Sequence, residues 1–264
     1  MIAHTDVGEG PALVLVHGLF GSSVYWQPVI DAFRNQRRVV VPDLAGFGRS
    51  GAHTVPADIP CQAKLVLDLL DQLDIERFDL VGYSMGGMVA QQIALMGPRR
   101  VGRLINYATK PVAQDTDRFE PFTGTIARLQ AEPLMVVAEA NIRKWFAKPP
   151  EPAQIDLCRH AANGATSESV TAALRAVEGW DIRAELGDLK MPVLVISGDR
   201  DRSISVSTLV TQFTAIPDAR LCILPGCGHI AHLEQPDHFL RIIGEFLADG
   251  CEGGNDQASE QKRE

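Results

Sequence analysis

The chain has no apolar run approaching the roughly 20 residues that a bilayer-spanning helix needs. Its first ten residues, Met1 to Gly10, hold no Lys or Arg but do hold Asp6 and Glu9, so the basic and apolar regions of a secretory leader are not expected there. Cysteine is sparse and odd in number: Cys61, Cys158, Cys222, Cys227 and Cys251 include no pair at C-x-x-C spacing. Neither a zinc site nor a dithiol redox motif is therefore expected, no metal is implied, and scattered thiols suit a reducing cytoplasm. An excess of positive charge is also missing, with 25 Lys and Arg against 33 Asp and Glu, a formal net charge of −8. That balance argues against nucleic acid as a partner and against an anionic membrane surface. No internal repeat is visible.

What is present is ordinary for a globular protein: 264 residues, 45% apolar and 22% charged. The length allows one large core, or a core with an insertion. Short apolar runs recur at Ala12–Val16, Arg38–Val41, Phe78–Val81, Val101–Ala108, Val193–Ser197 and Arg220–Leu224. Continuous Val, Ile and Leu over four to eight residues suits strands buried on both faces, as in a parallel sheet. Between them, Ala63–Leu73, Met85–Met96 and Phe239–Leu247 carry helical spacing. Strands alternating with helices predict an α/β fold with a mostly parallel sheet flanked by helices. The alternation breaks from residue 111 to 187. Leu134–Phe146, Ala153–Ala162 and Ser167–Val177 read as helices there, a helical cap inserted between core segments 1–110 and 188–248. Residues 249–264 are polar and Gly-rich, and are expected to be a disordered tail.

The strongest chemical signal is Gly82-Tyr83-Ser84-Met85-Gly86, set between a buried strand and a helix. A serine on so tight a strand-to-helix turn, a nucleophile elbow, projects its hydroxyl above the sheet, and the flanking glycines remove Cβ atoms that would clash. The hydroxyl is a weak nucleophile and needs a base oriented by a third group. Downstream, Val193–Ser197 runs into Gly198-Asp199-Arg200-Asp201, and Arg220–Leu224 runs into Pro225-Gly226-Cys227-Gly228-His229. Carboxylate and histidine thus follow strand C-terminal ends, the edge where α/β sheets place ligands. On spacing alone, Asp199 and Asp201 both qualify as the acid.

Together with His17-Gly18, the block Pro42 to Ser50, Gly198-x-x-Asp201, and Gly228-His229 followed by Glu234 and Pro236, these residues resemble the α/β-hydrolase superfamily. The likeness runs from about Val7 to Ala248, and is strongest to the capped branch of carboxylesterases, enol-lactonases and carbon–carbon bond hydrolases. It implies a catalytic triad of Ser84, Asp201 and His229, with Asp199 a loop residue or turn cap and His232 and His238 structural. It also implies an oxyanion hole from the backbone N–H groups of Met85 and Leu19, with Phe20 the fallback donor. His17, Asp43 and Arg49 read as scaffolding, the last two as an ion pair. Relatives with Asp at the nucleophile position, the haloalkane dehalogenases and epoxide hydrolases, differ from this chain at Ser84. Only Ile2–Asp6 is left to supply the edge strand with which the fold usually begins.

The cap is expected to roof a pocket lined by Phe20, Trp26, Met88, Met135 and Trp145, with Tyr25, Leu134, Val137 and Phe146 as further candidates. Arg128, Arg143, Lys144 and Arg175 could offer a cation to an anionic substrate. The resemblance implies a serine hydrolase that cleaves a small-molecule carboxylic ester or lactone through an acyl-enzyme, with no cofactor. Alternatives are a carbon–carbon bond hydrolase acting on a vinylogous diketone, an acyltransferase or perhydrolase, and a non-catalytic ligand receptor on the same scaffold.

Overall fold

The computed structural model describes residues 1–113 and 120–249. Seven strands form one sheet: β1 (His4–Val7), β2 (Ala12–Val16), β3 (Arg38–Pro42), β4 (Phe78–Tyr83), β5 (Val101–Tyr107), β6 (Val193–Gly198) and β7 (Ala219–Leu224). Their order across the sheet is β1-β3-β2-β4-β5-β6-β7. Only β1 runs antiparallel, pairing His4 with Pro42 and Val7 with Val39 at the edge. All other pairs are parallel. Each strand foreseen as a continuous apolar run is present. In β2, Leu13 to Val16 are wholly buried, as expected where helices cover both faces.

The covering helices follow from amphipathic spacing. α1 (Gln27–Phe33), α2 (Ile59–Gln72) and α3 (Met85–Met96) lie in the first half of the chain. The α2 N-terminus is fixed by Asp58, whose carboxylate accepts from Cys61 N–H at 2.7 Å, an N-cap. Its buried stripe includes Ile59, Ala63, Val66 and Leu70, and it packs against α3.

Between β5 and β6 lie four helices, α4 (Phe122–Ala131), α5 (Leu134–Trp145), α6 (Pro152–Ala162) and α7 (Ser167–Glu178). Among the described residues, the only strand-like pairing in this stretch is an antiparallel bridge between Val112 and Asp181. Two hydrogen bonds flank it, Ala113 N–H to Trp180 O at 2.9 Å and Ile182 N–H to Pro111 O at 2.8 Å. The chain therefore enters and leaves the helical insertion side by side. The α7 N-terminus is a reciprocal capping box of Thr166 and Ser169.

α8 (Val206–Ala215) links β6 to β7, and a short α9 (Ala231–Glu234) leads into α10 (Pro236–Ala248). α10 buries Phe239, Ile243, Phe246 and Leu247. Of the tail expected to be disordered, Asp249 ion-pairs with Arg220; residues 250–264 lie outside the described residues. Among the described residues no helix is long and apolar enough to cross a membrane.

Candidate active site

Three side chains converge at the C-terminal edge of the sheet. Ser84 follows β4, Asp201 follows β6 and His229 follows β7. Ser84 has φ +55° and ψ −119°, a conformation costly for a residue with a Cβ. The turn persists because its surroundings leave no alternative. A Cβ at Gly86 would stand 2.3 Å from His17 O, and one at Gly82 would stand 2.5 Å from Ala90 Cβ. Ser84 N–H donates to Tyr107 O at 2.9 Å, and Thr109 Oγ1 donates to Ser84 O at 2.7 Å.

The hydroxyl oxygen of Ser84 lies 3.0 Å from His229 Nε2, and His229 Nδ1 lies 2.8 Å from Asp201 Oδ2. The Asp201 side chain is wholly enclosed and surrounded by donors. Ser197 Oγ donates to Oδ2 at 2.8 Å, and the N–H groups of Ser203 and Ile204 donate to Oδ1 at 2.7 and 3.0 Å. A carboxylate so surrounded is an acceptor only, so Nδ1 of His229 carries the proton and Nε2 is free to accept from Ser84. Asp199 stands apart: it accepts Gly226 N–H at 2.6 Å and lies near Arg200 at the surface.

The loop after β2 is braced by His17. Its Nδ1 donates to Gly18 O at 2.8 Å and its Nε2 accepts from Leu44 N–H at 3.0 Å. Burial holds the His17 pKa below its usual value, against the opposing effects of the Gly18 hydrogen bond and nearby Asp43. Asp43 accepts Ser23 N–H at 2.6 Å and pairs with Arg49 at 2.7 Å. Burial works to raise its pKa, but these bonds outweigh it and the net direction is downward. Phe20 in this loop has φ +56°.

A cavity opens beside Ser84 and His229. Leu19, Phe20, Met85, Met88 and Trp145 line it. Met85 opens α3, so its N–H belongs to the first turn, where no intrahelical acceptor precedes it. Trp26 and Met135 do not line the cavity. Trp26 lies beneath it, wholly buried and stacked on His232 at 5.2 Å between ring centroids; Met135 packs half-buried on the core. Tyr25, Leu134, Val137 and Phe146 are also absent from the lining, as are Arg128, Arg143, Lys144 and Arg175. Arg128 pairs with Glu132 and Arg143 with Glu139 along their own helices.

The lining also holds residues that sequence reasoning missed: Thr109, Lys110, Phe122, Thr125, Asn141, Leu174, Val177, Ser203 and Ile204. Lys110 is only 1% exposed, an unusual setting for an ammonium group. The signal for Thr109 and Lys110 was their place just beyond β5, on the same edge as the triad. Nothing in the sequence marks Thr125, Asn141 or Leu174, because helix crossing in the insertion decides which of their faces turns inward.

Below the triad sits a ring cluster of Tyr25, Trp26, Tyr83, Tyr107 and His232. His232 Nδ1 and Tyr107 Oη are 3.0 Å apart, and His232 N–H donates to the same oxygen at 3.2 Å. Burial, with a smaller contribution from His229, pushes the His232 pKa down to about 3. His232 is thus a neutral packing residue, and His238 lies exposed beside Gln235.

Among the described residues, no group of three or more His, Cys, Asp or Glu is arranged to hold a metal ion. A family model described as "Alpha/beta hydrolase family" matches residues 13–241. Among curated proteins, one provisionally named carbamate hydrolase RutD, from Agrobacterium fabrum, is 30% identical over 249 residues, covering 90% of this chain and 94% of that protein. The 2-hydroxy-6-oxo-6-phenylhexa-2,4-dienoate hydrolase of Burkholderia cepacia is 28% identical over 258 residues, covering 93% of this chain and 90% of that one. The crystal structure of the enol-lactonase from Burkholderia xenovorans LB400 superimposes with a TM-score of 0.86 at 27% identity, covering 94% of this chain and 96% of the other.

Proposed function

Because the chain belongs to the alpha/beta hydrolase family, we propose that it is a serine hydrolase that cleaves a small-molecule carboxylic ester or lactone. The observation that carries this reading is the unbroken line from Ser84 Oγ through His229, at 3.0 and 2.8 Å, to Asp201. His229 Nε2 takes the Ser84 proton as Oγ adds to the substrate carbonyl. The resulting oxyanion is held by the N–H groups of Met85 and Leu19. The tetrahedral adduct collapses, the C–O bond to the leaving alkoxide breaks, and the proton on His229 passes to that oxygen. In a lactone the leaving alcohol stays tethered to the acyl group. Water, deprotonated by His229, then attacks the acyl-enzyme; the bond from the acyl carbon to Ser84 Oγ breaks, the proton on His229 Nε2 returns to Oγ, and the carboxylic acid product leaves as its carboxylate. Asp201 keeps the imidazole in its Nδ1–H tautomer and stabilises the imidazolium without taking the proton itself. Apart from the substrate and water, every group these steps use is a side chain or backbone N–H of this chain, and no step calls for a cofactor.

The pocket supports an acyl group that is mostly apolar, since Leu19, Phe20, Met88, Phe122, Leu174 and Val177 wall the cavity. The test is labelling with a fluorophosphonate, read by intact mass, on wild type and Ser84→Ala. One adduct on wild type and none on the variant is expected; a folded wild type that takes no label would overturn the reading. A panel of esters, lactones and vinylogous diketones then separates acyl-oxygen from carbon–carbon cleavage.

A further inference from the structure

Helix α5 ends at Trp145, whose carbonyl has no partner within the helix. It finds one across the site: His229 N–H donates to Trp145 O at 2.7 Å. The approach is close enough that a Cβ at Gly228 would stand 2.2 Å from Trp145 O and 2.8 Å from Ala147 N. One carboxylate spans this junction. Glu234 Oε1 accepts Ala147 N–H at 2.7 Å, and its Oε2 accepts Gly228 N–H at 2.6 Å. A second tie lies alongside, with Gln154 Nε2 of α6 donating to Leu233 O at 2.7 Å. On the cavity side the Trp145 ring packs on the His229 ring at 5.8 Å and on Phe20 at 6.4 Å.

We propose that Glu234 is a positioning residue that locks the end of α5 to the loop bearing His229, so that the Trp145 wall of the pocket and the base are set as one piece. The inference rests on the hydrolase reading above. Both amide bonds to Glu234 are charge-assisted and short, the class of hydrogen bond that fixes geometry most firmly, and Cys227 Sγ adds a longer one to Oε2 at 3.5 Å. Two backbone donors from distant segments, 81 residues apart in sequence (228 − 147), meet on one side chain. Slack at this junction moves the imidazole relative to Ser84 and moves the acyl wall with it, so rate and substrate binding fail together.

The test compares wild type with Glu234→Gln, which keeps one acceptor oxygen but turns an NH₂ toward the other N–H. Ala147→Pro serves as a second variant; it removes the cap-side donor and sets its ring Cδ against Glu234 Oε1, so the junction is broken from the cap side while the Glu234 side chain itself is unaltered. Rates are taken per active site titrated with a fluorophosphonate, so loss of folded protein does not count. Both variants are expected to lose about tenfold in kcat. Both should also raise KM severalfold, and only for esters whose acyl group reaches Trp145. Unchanged kcat and KM per titrated site in either folded variant, with only a lower melting temperature, would overturn the positioning role. Absence of label on wild type would instead overturn the hydrolase reading itself.

Discussion

At the scale of single residues, the site depends on a few exactingly placed groups. Ser84→Ala should leave circular dichroism unchanged and reduce ester turnover by about a thousandfold or more, because it removes the hydroxyl that meets His229 Nε2. The two candidate acids separate sharply. Asp201→Asn loses the carboxylate that holds the His229 tautomer and should cost up to about 10⁴ in kcat, while Asp199→Asn should change it less than about threefold. Steady-state kinetics on both variants check the ranking, and the reverse order would assign the orienting role to Asp199. His232 offers a test by pH. Its folded pKa, about 3, lies below its unfolded value of 6.5, so between these values the unfolded chain binds the extra proton. Its contribution to stability is present above the unfolded pKa and is lost as pH falls through that window, by about 1.4 kcal/mol per unit well inside it. Urea unfolding at pH 7 and pH 5 should show a smaller acid loss in His232→Asn than in wild type.

At the scale of elements, the turn between β4 and α3 does the mechanical work. Its glycines are positions where a methyl group has nowhere to go. Gly86→Ala would press a carbon against the carbonyls of Val16 and His17, which stand 2.5 and 2.3 Å from the ideal Cβ. The backbone must shift, and Ser84 and the loop at Leu19 shift with it. The expected outcome is a loss of about 1–3 kcal/mol in stability and about tenfold in fluorophosphonate labelling rate, measured by denaturant melts and timed intact-mass spectra. The strands and most helices were legible because their local signals agree: buried apolar runs bounded by Gly, Pro or Asp, and helices at 3.6-residue spacing. α4 gave a weak signal, since FTGTIARLQA mixes a glycine and two threonines into its turns. Its place is decided by contacts with α5 and α7.

At the scale of the whole molecule, the insertion closes over the sheet edge and turns an exposed triad into a walled site. Leu174 and Val177 reach the cavity from α7, Thr125 from α4, and Asn141 and Trp145 from α5. Leu174→Ala should therefore enlarge the acyl side. The ratio of kcat/KM for a longer over a shorter acyl ester should rise on the order of tenfold, with the rate of labelling by a small fluorophosphonate little changed. An unaltered ratio would place the acyl group elsewhere.

The sequence by itself determined the class of sheet, the tight turn at Ser84 and the order in which Ser84, Asp201 and His229 follow their strands, because these are written in contiguous residues whose local geometry is forced. Gly82 and Gly86 flank Ser84 in the chain as they do in space, and β6 and β7 each deliver a polar residue just past a buried run. The pocket was not legible in that way. Trp26 and Met135 looked like lining residues by size and position, but Trp26 is stacked on His232 below the floor and Met135 faces the core. Lys110, Thr125 and Leu174 do line the cavity, and Glu234 bridges Ala147 to Gly228. Which face of a helix turns toward a cavity, and which carboxylate meets two distant amides, depends on how separate elements dock, and only the tertiary packing sets that.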